Sequence, residues 1–230
     1  MISVCIATYN GDQFIEKQLN SILIQLGEND EIIICDDFST DKTVEIVRSF
    51  NDKRIKILVN DKTLGVVRNF ERAISLSKGN YIFLCDQDDI WESDKLQVYL
   101  SEFSAYDLLL SDASIIDEGD YVIKDSLFNN RNPLKGLVAN LYKSPYTGCC
   151  MAFKADMKKY VLPFPPKIVM HDLWIGNICR KYGKVFFINK KTLKYRRHLS
   201  NLTYTSEKSK NSLFFKISCR LRLLYELMRR

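Results

Sequence analysis

The run YIFLCDQDDIW, residues 81–91, decides the fold. Its first five residues are apolar without alternation, as in a strand covered on both faces. The polar run Asp86-Gln87-Asp88-Asp89 then ends it abruptly. The same pattern recurs to either side. ISVCIA at 2–7 leads into TYNGD, and EIIIC at 31–35 leads into DDFSTD. Between these runs, Phe14, Leu19, Ile22, Leu23 and Leu26 mark one helix face. Val44, Ile46, Val47 and Phe50 mark a second, with Ser39 or Thr40 as its N-cap. A third strand at 55–59, helices at 65–77 and about 92–103, and a fifth strand starting at 108–110 extend the alternation. The pattern predicts an α/β domain whose doubly wound, mostly parallel sheet has helices on both faces.

After Asp112 the rhythm breaks. A polar stretch leads to a short helix near 134–140, a strand in TGCCMAF (147–153) and a helix over 171–182. Two short strands follow, near 185–188 and 192–195. With no repeat and no low-complexity linker, residues 1–205 read as one domain. Residues 1–112 form its ligand-binding half and 113–205 an irregular cap, while 206–230 form a basic amphipathic C-terminal helix.

The 230 residues are 46% hydrophobic and 27% charged, enough to bury a core, which excludes disordered and fibrous classes. Apolar runs stop at strand length, and no basic region precedes an apolar stretch at the N-terminus, so neither a membrane span nor a signal peptide is expected. The seven cysteines are odd in number and lack CxxC spacing, which fits a reducing cytoplasm. The net charge of +6 is uneven. Residues 190–230 hold 12 Lys/Arg against 2 Asp/Glu, so the first 189 residues carry a balance of −4. An acidic body with a basic tail is unlike a nucleic-acid binder. It suits a peripheral position on an anionic membrane surface, or a terminal helix docked on its own domain.

Ligands of open parallel sheets collect at the carboxyl ends of the strands. Here those ends hold Thr8-Tyr9-Asn10-Gly11-Asp12, Asp36-Asp37 and Asp86-Gln87-Asp88-Asp89. Aspartates so gathered are costly unless a cation or hydrogen-bond donors face them. GxGxxG and GxxxxGK[ST] are both absent, which argues against a dinucleotide site or a P-loop. A nucleotide here would hold its phosphates through a metal on the carboxylates, and hard oxygen ligands suit Mn²⁺ or Mg²⁺.

Taken in order, SVCIATYNG, IIICDDFSTDKT, Gly65 with Arg68-Asn69, and GNYIFLCDQDDIW resemble the family 2 glycosyltransferases of the GT-A fold. The resemblance runs from residue 2 to about 201, and GCCMAF, HDLW and YRRHLSN narrow it toward bacterial rhamnosyltransferase-like members that build surface polysaccharides. Phe38 stands where the family usually has Gly, and Cys150 where Thr is commoner. The resemblance implies that Asp88 ligates the metal and that Asp86 contacts the ribose and metal region. Asp37 would read the imide N–H of uracil or thymine, with Thr8, Tyr9, Asn10 and Gln87 lining the donor site. Arg68 would face the nucleotide, His198 would complete the metal or diphosphate site, and Arg197 with Arg196 would offset diphosphate charge. The implied partners are a dTDP-rhamnose or UDP-sugar donor and a glycan or lipid-linked acceptor. Structural alternatives remain for several of these residues. Asp89 with Glu92 reads as a capping box, Asp37 as a turn acceptor, and Arg68 as a surface cation.

Inversion at the anomeric carbon needs a base on the face opposite the diphosphate, away from the metal cluster. In the second half, Asp172 alone sits in an apolar setting, between Met170 and Leu173-Trp174 at a helix start. It is the expected general base, kept ionised by the helix N-terminus, with Trp174 as an aromatic wall for a sugar. The alternative role for Asp172 is a helix cap. Three rival functions are a UDP-hexose transferase of the same fold, a haloacid-dehalogenase-like phosphatase and a nucleotide-binding subunit without turnover. The phosphatase expects its DxD after the first strand, not the fourth.

Overall fold

A computed structural model describes residues 1–128, 144–198 and 213–230, with only the backbone described for 213–217. The short helix expected near 134–140 lies outside the described residues, as do 206–212. The first half follows the periodicity closely: β1 Ile2–Thr8, α1 Ile15–Leu23, β2 Glu31–Asp36, α2 Thr43–Ser49, β3 Ile55–Val59, α3 Val66–Leu76 and β4 Tyr81–Asp86. The chain continues with β5 Ile90–Trp91, α4 Lys95–Glu102, β6 Leu108–Ile116, β7 Val122–Lys124, β8 Met151–Lys154, α5 Lys158–Val161, α6 His171–Tyr182, β9 Val185–Arg196 and α7 Leu213–Arg229.

One nine-stranded sheet organises the chain in the order β3-β2-β1-β4-β8-β6-β9-β5, with β7 beside β6. β1 pairs in parallel with β2 on one side and β4 on the other, so the topological switch point lies between β1 and β4. The second half is mixed. β8 runs antiparallel between β4 and β6, and β5 pairs antiparallel with β9, whereas β6 and β9 are parallel. β1, β2 and β6 are almost wholly buried, and each sheet face has its own apolar cluster. All seven cysteines are free, as expected for thiols acting as small hydrophobes.

Several local expectations need correction. The helix placed at 92–103 starts only at Lys95, because Ile90 and Trp91 pair with β9. Asp89 therefore forms no capping box; it accepts the Arg196 N–H at 2.9 Å. Neither Ser39 nor Thr40 caps α2. Asp41 accepts the Thr43 N–H at 3.0 Å, while the Ser39 hydroxyl is spent on Asp36 and Asn10. The first part of TGCCMAF is a 3₁₀ turn, Gly148–Cys150, and β8 begins at Met151. The two strands expected at 185–188 and 192–195 are one strand, β9, with register shifts opposite 111–113.

Candidate active site

Three strand ends meet at the switch point, and short polar side chains lace them together. The Thr8 hydroxyl donates to Asp36 Oδ2 at 2.8 Å. The Gln87 amide pairs with the Tyr9 backbone through both ends, accepting from N at 2.8 Å and donating to O at 3.1 Å. Asn10 receives the Thr40 N–H at 2.9 Å on its side chain and donates its own N–H to Ser39 Oγ at 2.9 Å. Gln87 and Asn10 therefore hold loops, and the Tyr9 ring, half exposed, is left facing outward.

Asp37 is buried and already engaged. Its Oδ1 accepts from Leu64 N at 2.6 Å and Asn60 Nδ2 at 3.1 Å, and its Oδ2 accepts from Gly65 N at 2.8 Å. Gly65 adopts φ 87°, which a side chain would resist, so that amide can turn toward the carboxylate. A carboxylate oxygen has two acceptor sites, and Oδ2 uses one of them on the Gly65 amide. Arg68 pairs with Glu71 and reaches the carbonyls of Phe164 and Pro165, both at 3.4 Å. It ties α3 to the segment before α6, and no described contact directs it to a nucleotide.

Asp86, Asp88 and Asp89 share the next loop. Burial pushes the Asp86 carboxyl up to about 7, and the charges of Asp88 and Asp172 add to the rise. Asp89, fully enclosed, is likewise raised, chiefly by burial. Ligand atoms of Asp86, Asp89 and Cys149 lie within 4.8 Å of one another, a cluster the sequence reading missed. Burial and its pairing with Cys150 hold the Cys149 thiol protonated, and Asp89 is tied to the Arg196 amide. Hard cations prefer oxygen ligands, so the carboxylates of Asp86 and Asp88 suit Mn²⁺ or Mg²⁺ better than the Cys149 thiol does. His198 Nε2 stands 2.7 Å from Asp88 Oδ2, joining the two residues expected at the metal. Asp86 is buried beside the charges of Asp88 and Asp172, and carboxylates gathered this way fit a divalent cation.

The basic partners divide. Arg196 is fully buried, donating to the carbonyls of Asp88 and Asp117 at 2.8 Å each, with its guanidinium over the Phe14 ring. It is structural, so the expectation that it offsets diphosphate charge is withdrawn. Arg197 is half buried, and its N–H is held by Ile116 O at 2.8 Å.

Asp172 occupies the first turn of α6, where its Oδ1 accepts the Leu173 N–H at 2.6 Å. Burial pushes its carboxyl up to about 6, against backbone hydrogen bonds from Leu173, Asp172 and Gly148. Desolvation outweighs those donors, so the carboxyl sits above the ordinary carboxylate range, though it is still ionised at neutral pH. Trp174 is also corrected. It is 1% exposed, and its indole N–H donates to Val161 O at 2.8 Å, so it forms core, not a sugar wall. His171 is buried against Phe70 at 4.0 Å, and burial lowers its pKa to about 3.

One further contributor had gone unread. Lys95 is fully buried and donates to Cys149 O at 2.9 Å, standing over the Trp91 ring at 4.7 Å. Tyr99, one turn on, donates to Cys150 O at 2.7 Å. Together they clamp the turn whose Gly148 amide reaches Asp172.

An α/β sheet with an acidic cleft at its switch point defines a domain of the GT-A type. A family model described as glycosyl transferase family 2 matches residues 3–161, and the chain belongs to that family. Among curated relatives, the dTDP-rhamnosyl transferase RfbG of Shigella flexneri is 29% identical over 219 residues, covering 85% of this chain and 72% of that one. The Escherichia coli UDP-Glc:alpha-D-GlcNAc-diphosphoundecaprenol beta-1,3-glucosyltransferase WfgD is 35% identical over 101 residues, or 44% of this chain and 40% of that one. The chain spans less than half the length of the E. coli glucosyltransferases, 40% for WfgD and 49% for WfaP. Among solved structures, S. aureus TarS 1-349 in complex with UDP-GlcNAc superposes with a TM-score of 0.74 at 18% identity, covering 97% of this chain and 66% of that one. The mannosyltransferase PcManGT from Pyrobaculum calidifontis, in complex with GDP-Man and Mn²⁺, gives 0.64 at 16% identity, covering 88% and 58%. At these identities the structural likeness establishes the fold alone.

Proposed function

We propose that this chain is an inverting, metal-dependent glycosyltransferase domain. It would move a sugar from a nucleoside diphosphate donor to a glycan or lipid-linked acceptor in bacterial surface polysaccharide synthesis. The observation that carries the reading is a single acidic centre drawn from both halves of the chain. Asp86 ends β4 in the nucleotide half, Asp172 opens α6 in the second half, and the charge of one raises the pKa of the other.

In this reading Tyr9 offers a face to the base, and the remaining acceptor site on Asp37 takes the imide N–H. Asp86, Asp88 and His198 would hold Mn²⁺ or Mg²⁺, which when bound neutralises charge on the departing diphosphate. Asp172 accepts the proton of the acceptor hydroxyl, and a pKa of about 6 leaves it ionised yet basic near neutrality. Arg197 remains a candidate for the diphosphate. dTDP-rhamnose is the favoured donor, supported by RfbG, a relative aligned over most of both chains. UDP-glucose is second, supported by WfgD and WfaP. A cytoplasmic, membrane-peripheral site of action fits a lipid-linked acceptor.

Thermal shift against dTDP-rhamnose, UDP-glucose, UDP-GlcNAc and GDP-mannose, each with and without Mn²⁺, tests the donor reading. Stabilisation by dTDP-rhamnose with metal is expected. Stabilisation by UDP-sugars alone would reassign the donor, and none by any nucleotide sugar, together with release of phosphate from simple phosphoesters, would favour the phosphatase.

A further inference from the structure

Helix α7 carries two apolar faces, and the fold uses one of them. Leu223 and Leu227 are buried in the cluster that also contains α6 residues Trp174, Ile175 and Ile178. Lys181 Nζ donates to Leu227 O at 2.7 Å, and Arg230 donates to Tyr160 O at 2.7 Å and Pro163 O at 3.0 Å. These contacts fix the rotation of the helix about its axis. The docked-helix alternative therefore describes the inner face, and it leaves the outer face unexplained.

That outer face presents Leu221, Tyr225 and Met228, exposed by 62%, 52% and 69%. Steps of four and three residues stack them into one stripe. Arg222 and Arg229 are exposed on its border, with the Arg229 guanidinium 5.4 Å from the Tyr225 ring centre. Lys167 joins from across an open groove of about 620 Å³, whose walls include Pro166, Leu221, Arg222 and Tyr225. Isolated exposed apolar residues are ordinary, but a continuous row bordered by cations is the composition of an interfacial surface.

Charge decides what covers it. Lys167, Arg222 and Arg229 stand around this face, with Glu226 as the acid in the groove wall. A second copy placed on this face by a two-fold axis would bring the same cationic border up to it, with Glu226 the acid available to offset the charge. An anionic phospholipid surface does the reverse: its headgroups receive the guanidinium groups while Leu221, Tyr225 and Met228 enter the acyl boundary. We infer that the outer face of α7, with Lys167, is a docking surface for an anionic bilayer. No described helix is long and apolar enough to cross a membrane, so the contact is one of lying on the surface. Lys167 stands five positions before Asp172, so the surface adjoins the segment that leads into the site.

The test uses the full chain and needs no sugar donor, so it stands apart from the transferase reading. Sedimentation with phosphatidylcholine vesicles containing about a third phosphatidylglycerol should capture the protein, pure phosphatidylcholine should not, and salt should release it. Replacing Arg222 and Arg229 by Glu should weaken capture roughly fivefold or more per site. Replacing Leu221, Tyr225 and Met228 by Ser should weaken it at least about tenfold, with the melting curve unchanged because all three are exposed. Should the Ser variant fail to fold, the Arg pair decides alone. The proposal is overturned by absence of capture, by equal capture on both vesicles, or by capture unchanged in the folded variants. Self-association that the Ser variant abolishes, without vesicle binding, would assign the face to a second copy instead.

Discussion

Burial raises the Asp172 carboxyl to about 6, and this single shift makes two separable predictions. A base must be ionised to work, so kcat/KM should fall as pH drops through about 6, which a pH–rate profile measures. The same shift is a stability term. The folded chain holds this proton more tightly than the unfolded one, so the contribution is full below the unfolded value and is lost as pH rises through about 6. At pH 8 the ionised carboxylate therefore costs the fold on the order of 1–3 kcal/mol. Asp172→Asn keeps an oxygen for the Leu173 amide but cannot accept the proton. Transfer should fall ~10²-fold or more, while the melting temperature at pH 8 stays level or rises. A loss of stability with transfer intact would make Asp172 a helix cap. Phe38 offers a second residue-scale check. Its φ of 68° is strained for a side chain, and the ring is half exposed, so little packing is at stake. Phe38→Gly should be neutral or stabilising by about 1 kcal/mol, a rise of ~2–4 °C in a thermal melt.

The turn Gly148–Cys150 shows how an element carries chemistry without supplying the reacting group. A Cβ on residue 148 would lie 2.6 Å from His171 Nε2, so Gly148→Ala must displace the buried His171 ring at the start of α6. A cost of about 1–3 kcal/mol is expected in denaturant melts, along with a larger fall in kcat than in donor affinity, because Asp172 moves and the strand ends do not. Much at this scale was legible. The four strands of the first half stop within a residue of where the apolar runs stop, and α6 has the bounds that its pattern suggests. What escaped was long-range. Nothing local in MAFK says that it inserts antiparallel between β4 and β6, or that Ile90-Trp91 leaves its helix to pair with β9. The polar residues Asn189 to Lys191 look like a break, yet β9 absorbs them as an irregularity along β6. The error at Trp174 was avoidable. Residues two apart on a helix point about 200° apart, so an Asp172 that faces the site turns Trp174 into the core. Lys95 carried a faint signal too, because it shares a helix face with Tyr99, one turn on.

At the scale of the whole molecule, the acidic centre couples cation, donor and fold. Asp86 and Asp89 have pKa values raised chiefly by burial, and each stands among further carboxylates, so a diphosphate arriving alone would meet like charge. Two such charges ~4 Å apart repel by several kcal/mol at intermediate dielectric, more than an exposed nucleotide contact repays. The donor should therefore bind and stabilise the chain only together with Mn²⁺ or Mg²⁺. A ligand at a hundred times its Kd adds about 2.7 kcal/mol to a two-state fold. For a chain of this size that corresponds to a rise of ~5–10 °C. EDTA should erase the rise. Asp88→Ala should erase it as well, since Asp88 links the loop after β4 to His198. The variant's melt with neither ligand present sets the baseline, since Asp88 is buried and paired with His198. Metal affinity should also weaken below about pH 7, where the cation must displace a proton from Asp86. Calorimetric titration of Mn²⁺ at two pH values would show this as proton release. A donor-induced shift that persists undiminished in EDTA would leave Asp86, Asp88 and His198 without a cation to hold and return the acidic rim to a structural role.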